Sequence, residues 1–263
     1  MYPCEATICA AHYCPLSQGY SKDIIMFTAA EALPAATVVL LRQGSNGCEV
    51  LLLRRSAGLS FHGGAWVFPG GRIDPADYAA AASAEVTEAA RHAAAREARE
   101  EAGVEVSPQR LLLFARWVTP EGLPKRFDAW FFAAPTDSHE VHVDGNEISE
   151  HCWIRPEEAL AAQRVGRFVF PPPTFVTLNQ LAGYRTPAEV LAMLDSRQCE
   201  AFLPRLHPIA DGACTLYAGD VAYGTGDLEA PGPRHRLWIT DSGWRYERTG
   251  SQIVTVESAA TLT

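Results

Sequence analysis

The chain is short of positive charge, of long apolar runs and of paired cysteines, and each shortage removes a class of function. Its 22 Lys and Arg face 31 Asp and Glu, a formal charge of −9, so the molecule as a whole repels a phosphate backbone and non-specific nucleic-acid binding is excluded. Apolar runs end after short stretches such as Ala35–Leu41, well below the ~18 residues a bilayer-spanning helix needs, and no membrane partner is expected. The first basic residue is Lys22, so the positive flank of a secretory signal is missing and the expected compartment is the cytoplasm. Seven cysteines (Cys4, Cys9, Cys14, Cys48, Cys152, Cys199, Cys214) are odd in number and form no C-x-x-C pair. They read as reduced thiols, and the N-terminal three do not have the spacing of a zinc site. Nothing repeats at solenoid or propeller periods.

What is present is globular in proportion: 263 residues, 48% hydrophobic, 20% charged and 10% aromatic, enough for one large domain or a domain with an appendage. Residues 1–33 read as a tail, with 1–25 an upstream extension of the frame before Met26; residues 34–165 read as the core and 166–263 as a C-terminal extension packed on it. Ala36–Arg42 and Val50–Arg54 are β-rich runs joined through Asn46-Gly47, a hairpin signature. Trp66–Phe68 is a short strand that runs into Pro69-Gly70-Gly71, where glycine permits close approach of other groups. Asp74-Pro75 is an N-cap with proline at the first helical position. An Ala-rich helix then extends to Ala102, with a break near Ser83 and a stop at Gly103.

Leu111–Val118, Phe127–Ala133 and Trp153-Ile154 read as strands, and Pro156 opens a short helix to Ala162. Pro171–Pro173 marks a boundary. Thr186-Pro187-Ala188-Glu189 has the pattern of a capping box for a helix to about Ser196, and Leu237–Thr240 with Trp244–Arg248 suggests a late hairpin. Strands and helices mix without βαβ regularity, which favours an α+β sandwich.

Chemistry concentrates in Arg96-Glu97-Ala98-Arg99-Glu100-Glu101-Ala102-Gly103-Val104. On a helix, Glu97, Glu100 and Glu101 stand at i, i+3 and i+4 and share one face, an arrangement that destabilises an isolated helix unless positive charge intervenes. Hard oxygen donors in such a cluster suit Mg²⁺ or Mn²⁺, which also bind phosphate. Taken alone, the run is as well read as a solvated face laced by Arg96 and Arg99.

The wider pattern resembles the Nudix hydrolases, whose signature is G-x5-E-x7-R-E-U-x-E-E-x-G-U, with U bulky and aliphatic. Glu88, Arg96, Glu97, Glu100, Glu101, Gly103 and Val104 fall on their marks. Ala98 replaces the first bulky residue, an expected loosening beneath the helix. Position 82 is Ala where the pattern has Gly, and about eleven inserted residues separate Phe68-Pro69-Gly70-Gly71 from the rest. A box split in this way resembles the acyl-CoA diphosphatase branch, as does Leu51-Leu52-Leu53-Arg54-Arg55-Ser56 before it. Leu53 and Ser60 stand where that branch carries threonine and a second arginine.

The resemblance implies a Nudix-type α/β/α sandwich with a mixed sheet and a C-terminal extension. It implies a metal-dependent diphosphatase that cleaves CoA or acyl-CoA to 3′,5′-ADP and (acyl-)4′-phosphopantetheine. ADP-ribose or NADH is the alternative substrate, and a catalytically silent nucleotide sensor the alternative role. Glu97, Glu100 and Glu101 would hold Mg²⁺ or Mn²⁺ with a backbone carbonyl of Gly70 or Gly71, and Arg96 would orient the glutamates, paired with Glu88. Glu97 ranks first as general base, ahead of Glu147 and Glu150. Arg54, Arg55, Phe68, Gly70 and Gly71 are the substrate-binding candidates. Phe61, Trp66, Trp117 and Trp130 could stack on adenine, although each is more readily core. His62, His139, His142 and His151 have no metal spacing, and Ser56 and Ser60 lack the partners of a serine hydrolase. The partner is a small nucleotide, and a homodimer is compatible with this reading. Thr261-Leu262-Thr263 is not a peroxisomal Ser-Lys-Leu address.

Overall fold

The computed structural model describes residues 30–59, 62–138, 140–143 and 145–250; Cys4, Cys9, Cys14, Met26, Ser60, Phe61, His139 and the C-terminal tripeptide lie outside them. The described residues open with the hairpin of β1 (Ala32–Gly44) and β2 (Gly47–Arg55), closed with Gly44 opposite Gly47. Two short strands follow, β3 (Trp66–Val67) and β4 (Gly70–Arg72), then α1 (Pro75–Ala80) and α2 (Val86–Ala102). The break read near Ser83 is the gap between these helices. β5 (Leu112–Val118), β6 (Arg126–Pro135) and β7 (Ile148–Ile154) complete the N-terminal half.

β1 is the organising strand. It pairs with β6 in parallel along its length, with β2 antiparallel at one end and with β4 antiparallel at Ala35–Thr37. β7 adds to β2 and β5 to β6, giving a mixed sheet with two buried faces. One face is covered by α2, whose Ala89, Ala90, Ala93, Ala94, Ala98 and Ala102 are buried against Val38, Leu40, Leu51, Leu53 and Phe132. Ala98 is fully buried in this uniformly small surface, so the loosening expected beneath the helix does not arise.

The opposite face is covered by α3 (Pro156–Arg164), α4 (Pro172–Leu181) and α5 (Pro187–Asp195), whose Leu160, Phe175, Leu178 and Val190 join Val39, Leu41, Leu52 and Phe131. The α5 capping box is formed: Thr186 Oγ1 accepts from the Glu189 amide, and the Glu189 carboxylate accepts from the Thr186 amide. Helices on both faces of a mixed sheet make the α+β sandwich.

The C-terminal part contributes to this sheet and also builds another. β8 (Glu200–Phe202) pairs in parallel with β5. β9 (Arg205–Ile209), β10 (Gly212–Leu216), β11 (His235–Thr240) and β12 (Gly243–Arg248) form a four-stranded antiparallel meander. The two sheets join through aromatic packing, with Trp117 stacked on Phe202 at 3.8 Å and Tyr217 edge-on to both. Among the described residues, no helix is long and apolar enough to cross a membrane.

Candidate active site

The last turns of α2 carry the glutamates. The register that buries Ala94, Ala98 and Ala102 also turns Glu101 inward, where it is 7% exposed, and Gly103 ends the helix in the left-handed conformation at φ 67°. β4 runs beside this turn because β1 holds it in register. There the Gly70 amide donates to Glu101 Oε2 at 2.9 Å. Burial pushes the Glu101 carboxyl up to about 8. The Gly70 bond pulls against this, Glu97 pushes further, and the charges of Arg55 and Glu147 pull and push in turn. Glu97 is raised as well, by burial against the pull of Arg96.

Each glycine makes room for a neighbour, rigid backbone at Gly70 and a movable carboxylate at Gly71. A Cβ on Gly70 would meet the Ala36 carbonyl oxygen at 2.6 Å, and one on Gly71 would collide with the Glu97 carboxylate. Gly70 and Gly71 of the displaced segment therefore lie against α2 despite the residues inserted between them.

Arg96 is the hub of this face. Its Nη1 donates to Glu97 at 2.8 Å and to Glu100 at 3.0 Å, and its Nη2 to the Arg72 carbonyl at 2.9 Å. Its Nε and Nη2 grip the two oxygens of Asp77 at 3.2 and 2.9 Å. These bonds, Asp77 first, hold the guanidinium firmly charged. The partner expected for Arg96 was Glu88; instead Glu88 faces Arg91 at 3.3 Å, one helical turn along its own helix, and Asp77 of α1 takes that place. The signal was present as an acid at the third position of a helix opened by Asp74-Pro75, but spacing alone does not bring residues 77 and 96 together.

The remaining candidates divide between the faces of the sheet. Strand alternation that puts Leu51 and Leu53 against α2 puts Arg55 on the same side and Arg54 on the other. Arg54 pairs with Glu150 across the β2–β7 register, Nη1 to Oε1 at 2.6 Å, and both are exposed. A bulge between Arg54 and Arg55 shifts the register. Below it the Ser56 amide donates to the Glu147 carbonyl and the Ser56 hydroxyl to the Asn146 carbonyl. Arg55 and Glu147 thus act electrostatically on Glu101, whereas Arg54 and Glu150 pair with each other.

Phe68 is 3% exposed and sits in the core on the face away from α2, behind the site rather than lining it. Trp66, Trp117 and Trp130 are likewise buried. His62, at φ 55°, is pushed down to about 4 by burial and by Arg55, so it is neutral at physiological pH.

In these side-chain positions no three Asp, Glu, His or Cys among the described residues converge around one point, because Glu97 and Glu100 both rest on Arg96. The donor chemistry nevertheless fits a divalent cation. Asp77, Glu97 and Glu100, hard oxygen donors, crowd around a single guanidinium, Glu101 lies beside them on the Gly70 amide, and Glu97 and Glu101 are raised by burial and repulsion. Surplus negative charge of this kind is what Mg²⁺ or Mn²⁺ relieves.

Comparison with known proteins agrees with this geometry. The NUDIX domain family matches residues 32–170. A crystal structure of a NUDIX hydrolase from Alicyclobacillus acidocaldarius superposes with a TM-score of 0.57 and 24% identity, over 63% of this chain and 97% of that one. Nudix hydrolase 7 of Caenorhabditis elegans is 25% identical over 56% of this chain and 60% of its own length. An acyl-coenzyme A diphosphatase of Xenopus laevis is 28% identical over 42% of this chain and 31% of its own. The chain thus spans 31% to 60% of the length of these curated relatives.

Proposed function

The chain belongs to the NUDIX domain family, and from that premise we propose that it is a divalent-metal-dependent diphosphatase. Its substrate in this reading is CoA or an acyl-CoA, cleaved to 3′,5′-ADP and (acyl-)4′-phosphopantetheine. The observation that carries the finer assignment is the split box: α1 is inserted between the glycines and α2, yet Gly70 still bonds Glu101 at 2.9 Å. The partial similarity to an acyl-coenzyme A diphosphatase, 28% identical, supports the same branch.

In this reading Glu97, Glu100, Glu101 and a Gly70 or Gly71 carbonyl hold Mg²⁺ or Mn²⁺. The ion, when bound, neutralises the diphosphate and acidifies a water, which is how a protein of charge −9 accepts an anion. Before the cation enters, Arg96 orients Glu97 and Glu100 by bonding both. Glu97 Oε2, in a pocket that favours its protonated form, takes the proton from water. Arg55, on the Glu101 side of the sheet, binds the diphosphate with its guanidinium fork. Glu147 is the competing base. Glu150, occupied by Arg54 on the far face, drops behind it.

A second reading, ADP-ribose or NADH as substrate, is favoured by Leu53 and Ser60 in place of the threonine and arginine of the CoA pattern. The deciding experiment is product release from CoA, acetyl-CoA, a long-chain acyl-CoA, ADP-ribose and NADH with Mg²⁺ or Mn²⁺, using Glu100→Gln/Glu101→Gln as control. CoA or acyl-CoA cleavage that vanishes in the control is the expected result. Turnover of ADP-ribose or NADH alone would overturn the CoA assignment, and nucleotide binding without turnover would restore the silent sensor.

A further inference from the structure

The residues inserted into the box do more than lengthen a loop, because they deliver Asp77 to Arg96. We propose that Asp77 is a positioning residue: the fixed counter-charge of Arg96, which frees Glu97 and Glu100 to exchange that guanidinium for a divalent cation. The inference deepens the metal-dependent reading above and rests on it.

Three carboxylates hydrogen-bond Arg96, with Asp74 farther off at 3.9 Å from Nη2, and the three are held unequally. Asp77 is gripped through both oxygens by two nitrogens, and its Oδ2 also accepts from the Asp74 amide at 2.9 Å. Its side chain is 5% exposed, so packing, the backbone of its own helix and the guanidinium all fix it. Glu97 and Glu100 share the single nitrogen Nη1, and the Glu100 side chain is 50% exposed. Bidentate pairing is the stronger form of a charge-assisted bond, and two acceptors on one nitrogen divide what it offers. Asp77 is therefore the partner that stays, and the two glutamates are the partners that can leave.

The consequence follows from charge. A cation that draws Glu97 and Glu100 away would strand Arg96, a guanidinium only 19% exposed, beside a new double positive charge. Asp77 keeps that guanidinium neutralised and anchored. Without Asp77, Arg96 competes with the cation for both glutamates and also repels it, and the two effects have the same sign. The predicted signature of losing Asp77 is weaker cation binding by protein that is still folded, whereas a mere pin between α1 and α2 would cost stability and leave the affinity of the folded fraction unchanged.

The test is Mn²⁺ titration of the substrate-free full chain by electron paramagnetic resonance, for wild type, Asp77→Asn and Asp77→Glu, with melting temperatures in parallel. Asp77→Asn is expected to weaken Mn²⁺ binding by about tenfold or more, the range typical of groups behind the metal ligands, and Asp77→Glu to recover most of it. Unchanged Mn²⁺ affinity in folded Asp77→Asn overturns the inference and leaves the metal reading intact; absence of Mn²⁺ binding by wild type overturns the metal reading itself. If Asp77→Asn does not fold, the Arg96 Nε–H resonance of the wild type decides. Its persistence on saturation with diamagnetic Mg²⁺ supports the fixed pair, and its loss shows that Asp77 lets go.

Discussion

Arg96 and Arg236 each grip an aspartate with two nitrogens, and the surroundings of the two pairs differ. In the second sheet, Arg236 Nε and Nη2 bind Asp220 at 2.7 and 2.6 Å with both side chains essentially buried. Asp220 also accepts the amides of Ala222 and His235, and Arg236 Nη1 donates to the Leu228 carbonyl. One positive charge meets one negative charge, and the donors and acceptors are used. Around Arg96 the same bidentate pair is overlaid by Glu97 and Glu100, with Glu101 beside them. A bidentate Arg–Asp pair is therefore no mark of a functional site in this fold. The surplus of carboxylate is the discriminating feature, because a matched pair is complete and a surplus asks for a further cation.

The comparison breaks first at Asp220 if it is mistaken. Asp220→Ala leaves Arg236 charged and buried without its counter-charge, and urea denaturation should show a loss of about 3–5 kcal/mol. A loss under about 1 kcal/mol would show that the pair is not the structural element described. The pH dependence has a definite sign. Burial pushes the Asp220 carboxyl up, but the Arg236 bonds and the His235 and Ala222 amides outweigh it and leave it below its ordinary value of 3.8. Its stabilisation is therefore complete above that value and is lost as pH falls through the lower folded-state value. Asp220→Asn should remove that segment of the acid-unfolding curve.

On the surplus side, the same kind of charge removal should act on activity instead. Glu97→Gln is expected to lower kcat by about 10³-fold, within the range for a positioned base. Its melting temperature should hold or rise, since one of the crowded carboxylates has been neutralised. A variant that retains near wild-type kcat would remove Glu97 from both proposed roles. Gly71→Ala is a smaller version of the same test. Its Cβ displaces the Glu97 carboxylate rather than deleting it, so kcat/KM should fall by about 10²-fold with a stability change near 1 kcal/mol.

Local patterns were readable in the sequence and long-range pairings were not. α2, its Gly103 stop and the shared face of its glutamates follow from i, i+3, i+4 spacing, and the β1–β2 hairpin from Asn46-Gly47. Asp77 escaped because its partner lies 19 residues on, on the helix that follows the inserted one. β8, with three residues, and β9, with Pro208 inside it, are too short or too irregular to declare a strand by alternation. They form because β5 and β10 offer them partners. The division of Arg54 from Arg55 is plain alternation along β2, but that of Glu150 from Glu147 depends on one bulge in the β2–β7 register; period-2 reasoning carries no information about where a register slips.

That bulge supports the smallest prediction. Arg54 and Glu150 were candidates for substrate and proton chemistry, and the structure spends each on the other at an exposed strand edge, 2.6 Å apart. An exposed ion pair contributes about 0.2–1 kcal/mol, so Arg54→Ala and Glu150→Gln should each shift stability by no more than that. Because they share one interaction, the double variant should cost less than the sum of the two. Neither should move kcat/KM by more than about threefold, a barrier change near 0.7 kcal/mol, while Arg55→Ala, one residue after Arg54, and Glu147→Gln, three residues before Glu150, should each move it further. Equal effects from both members of each couple would mean that the face of the sheet does not sort these charges, and that the surplus around Arg96 is not the boundary of the site.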